Sequence, residues 1–221
     1  MKREQFFKIC IVCLISIIIL IGIYKLITTS LKVNQGKYRV VDVVVTSTAD
    51  IVSRTEENAY LSFDASQKNT ISLLIVPSDA KTESISLENI AITGKNNSIY
   101  ISQKDREEVL VSDIQVLPID VQYREDGNIL LELEITNQNI LTNKKLEDNV
   151  DELRYDGRVF KDAGLTLQDL ALDIDFDVKI VEENGTGNIL NVEINIPNEK
   201  FLTEGYHVER MDLGSFVFKT K

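Results

Sequence analysis

Tryptophan is absent from the 221 residues, and histidine occurs once, at His207. A single imidazole excludes zinc centres built from several histidines, and any Ser-His-Asp triad would have to use it. His207 reads as an exposed loop residue beside Tyr206. The two cysteines, Cys10 and Cys13, both fall in an N-terminal apolar run, so residues 37–221 contain none and have no disulfide framework. Cys-x-x-Cys serves redox or zinc chemistry in a soluble turn; inside an apolar helix it sets two small side chains on one face, where they pack. S-acylation of Cys10 is the one modification the pair invites. Walker and Rossmann glycine patterns and the G-x-S-x-G elbow are missing, and Gly214-Ser215 sits in an apolar terminal segment. No acid pair stands out for glycoside cleavage. The chain therefore reads as non-enzymatic, with no catalytic residue and no cofactor.

What is present first is an apolar run over residues 9–27, ICIVCLISIIILIGIYKLI. As an α-helix it would reach about 28 Å, the hydrocarbon thickness of a bilayer. Lys8 and Lys25 stand at its ends, where long stems reach the headgroups, and Phe6, Phe7 and Tyr24 suit the interfaces. An apolar surface on every side does not describe an ordinary core helix. The basic residues Lys2, Arg3 and Lys8 also fit a signal peptide, but no A-x-A follows and only Thr28-Thr29-Ser30 offers small residues. The run is expected to be retained as a single-pass signal-anchor. Lys/Arg counts on its two sides nearly tie; the long cysteine-free remainder points to a cytoplasmic N-terminus and an extracytoplasmic C-terminal part. The expected organisation is a cytoplasmic tail 1–8, transmembrane helix 9–27, linker 28–36, and β modules at 37–117 and 118–221, with one continuous sandwich as the alternative.

Acids outnumber bases, 35 against 24. Residues 1–36 hold five bases and one acid, which leaves 19 bases and 34 acids in 37–221, a net charge of −15. Such a field argues against nucleic-acid binding and against docking on anionic lipid. It favours solubility, cation attraction or a basic partner.

From Tyr38 onward the pattern becomes short runs of period-two alternation separated by Asn, Asp, Gly and Lys clusters, the signature of an all-β fold. Strands are expected at 38–46, 59–63, 70–76, 87–93, 98–102, 109–117, 119–123, 129–136, 170–181, 189–196 and 215–219. Two hairpins carry tight-turn chemistry. In one, Ile119, Val121 and Tyr123 face inward, Asp126-Gly127 turns, and Leu131, Leu133 and Ile135 return. In the other, Leu170, Leu172, Ile174, Phe176, Val178 and Ile180 face inward; Asn184-Gly185-Thr186-Gly187 turns, and Leu190, Val192, Ile194 and Ile196 return. Gly127-Asn128-Ile129-Leu130 matches Gly187-Asn188-Ile189-Leu190, and the flanks match in pattern, which reads as an internal duplication. Tandem β-sandwich modules of the immunoglobulin-like or fibronectin-III-like kind, with Pro77 and Pro197 ending strands, would produce it. One short amphipathic helix is expected at 143–156, with Asn143 as N-cap, Leu146, Val150 and Leu153 as its stripe, and Gly157 after its end.

The one constellation with metal-ligating chemistry is Asp173, Asp175 and Asp177. On a strand their carboxylates share one face at intervals of about 6.6 Å, and a calcium ion would relieve their repulsion. An EF-hand loop fails, since its sixth position is Val178 and its twelfth Asn184. The plainer account is the wet face of a half-buried hairpin. Asn96-Asn97-Ser98 and Asn184-Gly185-Thr186 are glycosylation sequons of the kind that Asn-rich chains form by chance. Together these readings describe a membrane-anchored extracytoplasmic β-sandwich acting as an interaction or scaffold component of a bacterial envelope, with unidentified envelope partners. The alternative is an extracytoplasmic ligand- or cation-binding module.

Overall fold

The computed structural model describes residues 37–55, 61–96, 98–145, 158–196 and 198–220. The apolar run 9–27 with its tail and linker, and positions 146–157 of the amphipathic segment, lie outside them. Among the described residues no helix is long and apolar enough to cross a membrane.

Residues Lys37–Lys221 form one compact, mostly β unit of two antiparallel sheets. Its strands in chain order are β1 (Tyr38–Thr55), β2 (Leu61–Pro77), β3 (Thr82–Gly94), β4 (Ile99–Gln103), β5 (Val109–Leu110), β6 (Val116–Ile119) and β7 (Ile129–Lys145). Helices α1 (Arg158–Asp162) and α2 (Leu167–Leu170) follow, then β8 (Leu172–Glu182), β9 (Gly187–Ile196), helix α3 (Phe201–Glu204), β10 (Tyr206–Arg210) and β11 (Lys219–Thr220). The six-stranded sheet runs β10-β1-β2-β7-β4-β5 and the five-stranded sheet β11-β9-β8-β3-β6. One core fills the space between them: Val43, Val45, Ile71, Leu73, Leu131 and Leu133 from the first sheet meet Leu87, Ile174, Phe176, Val178, Leu190 and Val192 from the second. Period-two alternation creates this core, since every second side chain of a strand faces the opposing sheet.

The pairings cross the expected boundary at 117/118. Strand β2 pairs with β7 and β3 with β8, so both sheets interleave the two halves, and the halves do not fold as successive modules. The expected duplication is corrected as well. In the first GNIL Ile129 is buried and Leu130 half-exposed, whereas in the second Leu190 is buried and Ile189 half-exposed. The same four letters sit in opposite phase, and a one-residue offset turns every side chain to the other face of a sheet.

Only the second hairpin is a full ladder, β8 on β9 from Leu172↔Ile196 to Val181↔Gly187. In the first, the turn forms with Gly127 at φ 79° and Gly127 N–H donating to the Arg124 carbonyl, but Tyr123↔Ile129 is a lone bridge and Tyr123 is exposed. The chain uses this turn to change sheets, since β6 pairs with β3 and β7 with β2 and β4. Gln103 holds the crossing: its amide donates to the Asp120 carbonyl at 3.0 Å and accepts from Asp120 N–H at 2.9 Å.

Several strands are longer than composition suggests. Residues 64–69 read as a turn between two strands, yet Ala65, Gln67 and Asn69 are buried in β2. Strand β7 likewise runs past Thr136 to Lys145 through register shifts, with Asn139 at φ 55° and Asn143 at φ 47°. Asparagine tolerates this left-handed backbone. Asn143 therefore does not cap a helix; its N–H donates to Asp64 Oδ1 at 2.7 Å inside the sheet. The expected strand 109–117 is broken by a 3₁₀ turn at Val111–Asp113. In place of the expected strand 215–219, Ser215 closes another such turn, Leu213–Ser215, capped by Asp212, and the short β11 begins only at Lys219.

The inward phase of the six-stranded sheet changes character along its length. After Val43 and Val45 comes Ser47; before Ile71 come Gln67 and Asn69; after Ile135 comes Asn137, and all four polar side chains are buried. Beyond them lies a second apolar cluster, where Phe63, Ala65 and Leu141 meet Phe160 of α1, Leu165, Leu170 and Phe201. Helix α2 is set by a reciprocal cap between Thr166 and Asp169, which also receives the ammonium of Lys95. The Phe160 and Phe201 rings lie 5.4 Å apart, and Phe63 meets Phe160 edge-on at 6.5 Å. Truncating Phe201 to Ala should cost about 3–5 kcal/mol. A shifted urea midpoint, with faster amide exchange at 160–170 than in β8, is the expected result.

Candidate functional site

The outer face of the five-stranded sheet gathers acids that pair with no cation among the described residues. Asp173, Asp175 and Asp177 project outward from β8 while Ile174, Phe176 and Val178 fill the core. The register sets Asp173 beside Asn195, Asp175 beside Glu193 and Asp177 beside Asn191 of β9. The ion pairs among the described residues include none of Asp173, Asp175, Asp177 and Glu193; neighbouring Lys179 serves Glu88 at 2.8 Å. Asparagine amides take their place. Asn191 Nδ2 donates to Asp175 at 3.1 Å and Asp177 at 3.3 Å, Asn195 donates to Asp173, and Asn89 donates to Asp177 at 2.7 Å. A shallow depression of about 530 Å³ lies here, lined by Ala91, Thr93, Asp173, Asp175, Glu193 and Asn195 among others.

This geometry places the three aspartates side by side rather than around a point. No group of three or more His, Cys, Asp or Glu side chains among the described residues is arranged to hold a metal ion. Pleating holds the carboxylates at strand spacing, and the amides of β9 occupy oxygens that a cation would need. Asp175 faces Glu193 across the ladder, and like charges directly opposite destabilise a sheet. Replacing Asp175 with Lys should therefore raise stability by about 0.2–1 kcal/mol, read as a higher denaturant midpoint at low salt.

A second polar centre lies where the described chain begins. Lys37 Nζ meets Glu182 Oε2 at 2.7 Å, and the Glu182 side chain is only 4% exposed. Asn188 donates to its other oxygen at 2.8 Å, and Asn184 donates at 3.3 Å. Thr220 in turn donates to Asn188 Oδ1, Ser78 N–H donates to the Lys37 carbonyl, and the Tyr38 hydroxyl lies 3.0 Å from Thr82 Oγ1. Four segments are tied at the first residue of the unit. The hydrogen bond from Lys37 is the chief cause that holds the Glu182 carboxyl below the usual glutamate range, and Asn188 adds to it. Burial pushes the Tyr38 phenol up.

Sequence reasoning placed His207 in an exposed loop. It lies in β10, 7% exposed, with Nε2 3.4 Å from Glu209 Oε2 and Nδ1 buried without a partner. It pairs with Ser47 of β1, which turns its ring inward. Both sequons have structural duties. Asn184 caps the β8–β9 turn by accepting from Thr186 N–H, and Asn96 accepts from Ser98 N–H and donates to the Gln138 carbonyl. Glu182, Gln67, Asn69 and Asn137 were not singled out by sequence reasoning, although a signal existed: each continues the inward phase of an apolar strand. No family model, curated protein or solved structure matches this chain.

Glu182 also yields a pH dependence. Its folded-state pKa is lowered, so its contribution is complete above the unfolded glutamate value near ~4.3 and is lost as pH falls through the folded value. Glu182→Gln should cost about 1–3 kcal/mol at pH 7 and progressively less below pH ~4.5. Urea midpoints of both chains, measured from pH 7 to 3, should converge at the acid end.

Proposed function

We infer that the chain is a single-pass membrane-anchored protein whose β unit stands outside the cytoplasm and works by non-enzymatic contact, as an interaction or scaffold component of a bacterial envelope. The observation that carries this reading is the apolar run 9–27, set nine residues ahead of a unit that begins at Lys37. The absence of cysteine from 37–221 fits an extracytoplasmic domain assembled without disulfides. Support for the contact role comes from the acidic face. Asp173 lies nine residues along β8 from Glu182 and Asp177 five, which puts these carboxylates about 30 Å and about 16 Å from Glu182, the partner of Lys37. An acidic face with no cation partner among the described residues suits a basic protein partner.

Membrane fractionation should leave the full chain in the membrane pellet through alkaline and high-salt washing, and protease added to wall-stripped cells should degrade 37–221. Recovery in the soluble fraction, or protection from that protease, would overturn the placement. For the contact role, crosslinking in intact cells should capture defined partners, and Asp173→Asn with Asp175→Asn should reduce that capture while leaving the fold intact. The second reading, a cation- or ligand-binding module, draws on the depression beside Asp173, Asp175 and Glu193. Calcium titration of the detergent-solubilised chain separates the two: the contact reading expects no binding heat, and saturable heat lost on Asp175→Asn establishes the other.

A further inference from the structure

Strand β10 closes one side of the six-stranded sheet, and among the described residues nothing pairs with its outer side. Its register on β1 runs from Val44↔Arg210 to Thr48↔Tyr206, and the next pair is hydrogen-bonded, with Met211 N–H donating to the Val43 carbonyl at 2.9 Å. Antiparallel ladders alternate bonded and non-bonded pairs. The bonded residues of β10 are therefore His207 and Glu209, while the N–H and C=O groups of Tyr206, Val208 and Arg210 point away from the sheet. The side chains of Tyr206 and Val208 are 48% and 50% exposed, two large apolar groups at alternate positions of one edge strand. Natural edges usually carry charge or proline at such positions.

We propose that β10 pairs with β10 of a second copy of this chain, antiparallel about a two-fold axis at Val208. The strand Tyr206-His207-Val208-Glu209-Arg210 complements itself in that register. Val208 meets Val208, His207 meets Glu209, and Tyr206 meets Arg210. Each outward backbone group finds its counterpart, because a two-fold at Val208 creates a bonded pair there and at Tyr206/Arg210 on either side. Asp42 holds the Arg210 guanidinium through contacts at 2.9 Å, fixing a cation for the ring of the opposing Tyr206. No like charges oppose each other in this register, and the two six-stranded sheets become one of twelve strands. The pairing goes beyond the envelope-contact reading and does not require the membrane anchor. It sends the two Lys37 ends in opposite directions, each about 30 Å from the axis, since Thr46 lies opposite Val208.

The test uses the full chain in detergent with Cys10→Ser and Cys13→Ser. A cysteine replacing Val208 sits about 5.5 Å from its symmetry mate, Cα to Cα, inside the disulfide range of roughly 4.4–6.8 Å. Mild oxidation should convert V208C mainly to a covalent dimer, while V116C, exposed on the edge strand β6, should stay monomeric. In light scattering the parent should be dimeric. V208K, which opposes two ammonium groups at the axis, should weaken association about tenfold or more. V208P removes an N–H that β1 does not use, so it should abolish the dimer with the circular dichroism of the sheet retained. A monomeric parent, equal crosslinking of V208C and V116C, or a dimer that survives both V208K and V208P would each overturn the pairing.

Discussion

A belt of hydrogen bonds across the inner face of the six-stranded sheet decides where one core ends and the other begins. Ser47 Oγ donates to Asn69 Oδ1 at 2.6 Å, and Gln67 Nε2 reaches both Asn69 Oδ1 at 3.1 Å and the Leu170 carbonyl at 3.2 Å. Asn137 Nδ2 donates to Gln67 Oε1, and Asn198 Nδ2 donates to the same Leu170 carbonyl at 2.8 Å. Polar atoms buried at this depth cost free energy unless paired, so the belt favours the observed register, in which Asn137 Oδ1 and Asn198 Oδ1 alone among its side-chain atoms find no partner among the described residues. A slip of β2 against β7 would push Gln67 and Asn69 into leucines on one side of the belt or phenylalanines on the other. The long strands and the helical cap follow from it. Because the Leu170 carbonyl anchors it, the end of α2 and the start of β8 take their position from the same network.

The two ends of the unit are built on different physics. Near Lys37 a buried carboxylate draws together β1, the β2–β3 connection, the β8–β9 turn and β11, tying the first residue of the unit to its last strand. At the far end Phe160 and Phe201, from two separate segments, cover the extended sheet around Phe63 of β2. Between them the two faces diverge. The five-stranded sheet shows water a row of acids and amides, whereas the β10 edge of the other sheet, unpaired among the described residues, shows valine, tyrosine and outward backbone groups. Like charge on the first face opposes its pairing with a copy of itself, whereas Glu209 and Arg210 leave the β10 edge with little net charge. The proposed edge pairing and the proposed basic partner thus call on different surfaces of one acidic unit.

Much of the fold was legible because alternation is a local property. The inward sets Leu172–Ile180 and Leu190–Ile196 could be read from every second residue, and both are buried in the β8–β9 ladder. The outward position of Asp173, Asp175 and Asp177 came with them. What misled was composition at places where polar residues face inward. Residues 64–69 and 137–143 carry the letters of turns, yet there they form strand, because groups distant in sequence bond the Gln67 and Asn137 side chains and the Asn139 and Asn143 N–H groups. His207 failed as an expectation for the same reason, since a strand partner, Ser47, turns it inward. The repeated GNIL failed because identical letters do not record phase.

By itself, then, the amino-acid sequence determined the mostly β character, the tight turn at Asn184-Gly185, the inward and outward faces of β8 and β9, and the acidity of the unit. These are properties of neighbours along the chain, set by side-chain period and turn chemistry. Only the tertiary structure decided which strands pair, that both halves share one core, that Gln67, Asn69 and Asn137 form a belt, and that Glu182 holds Lys37. Each of these joins residues many positions apart. Their energies arise from burial and hydrogen-bond satisfaction in three dimensions, which no local pattern encodes.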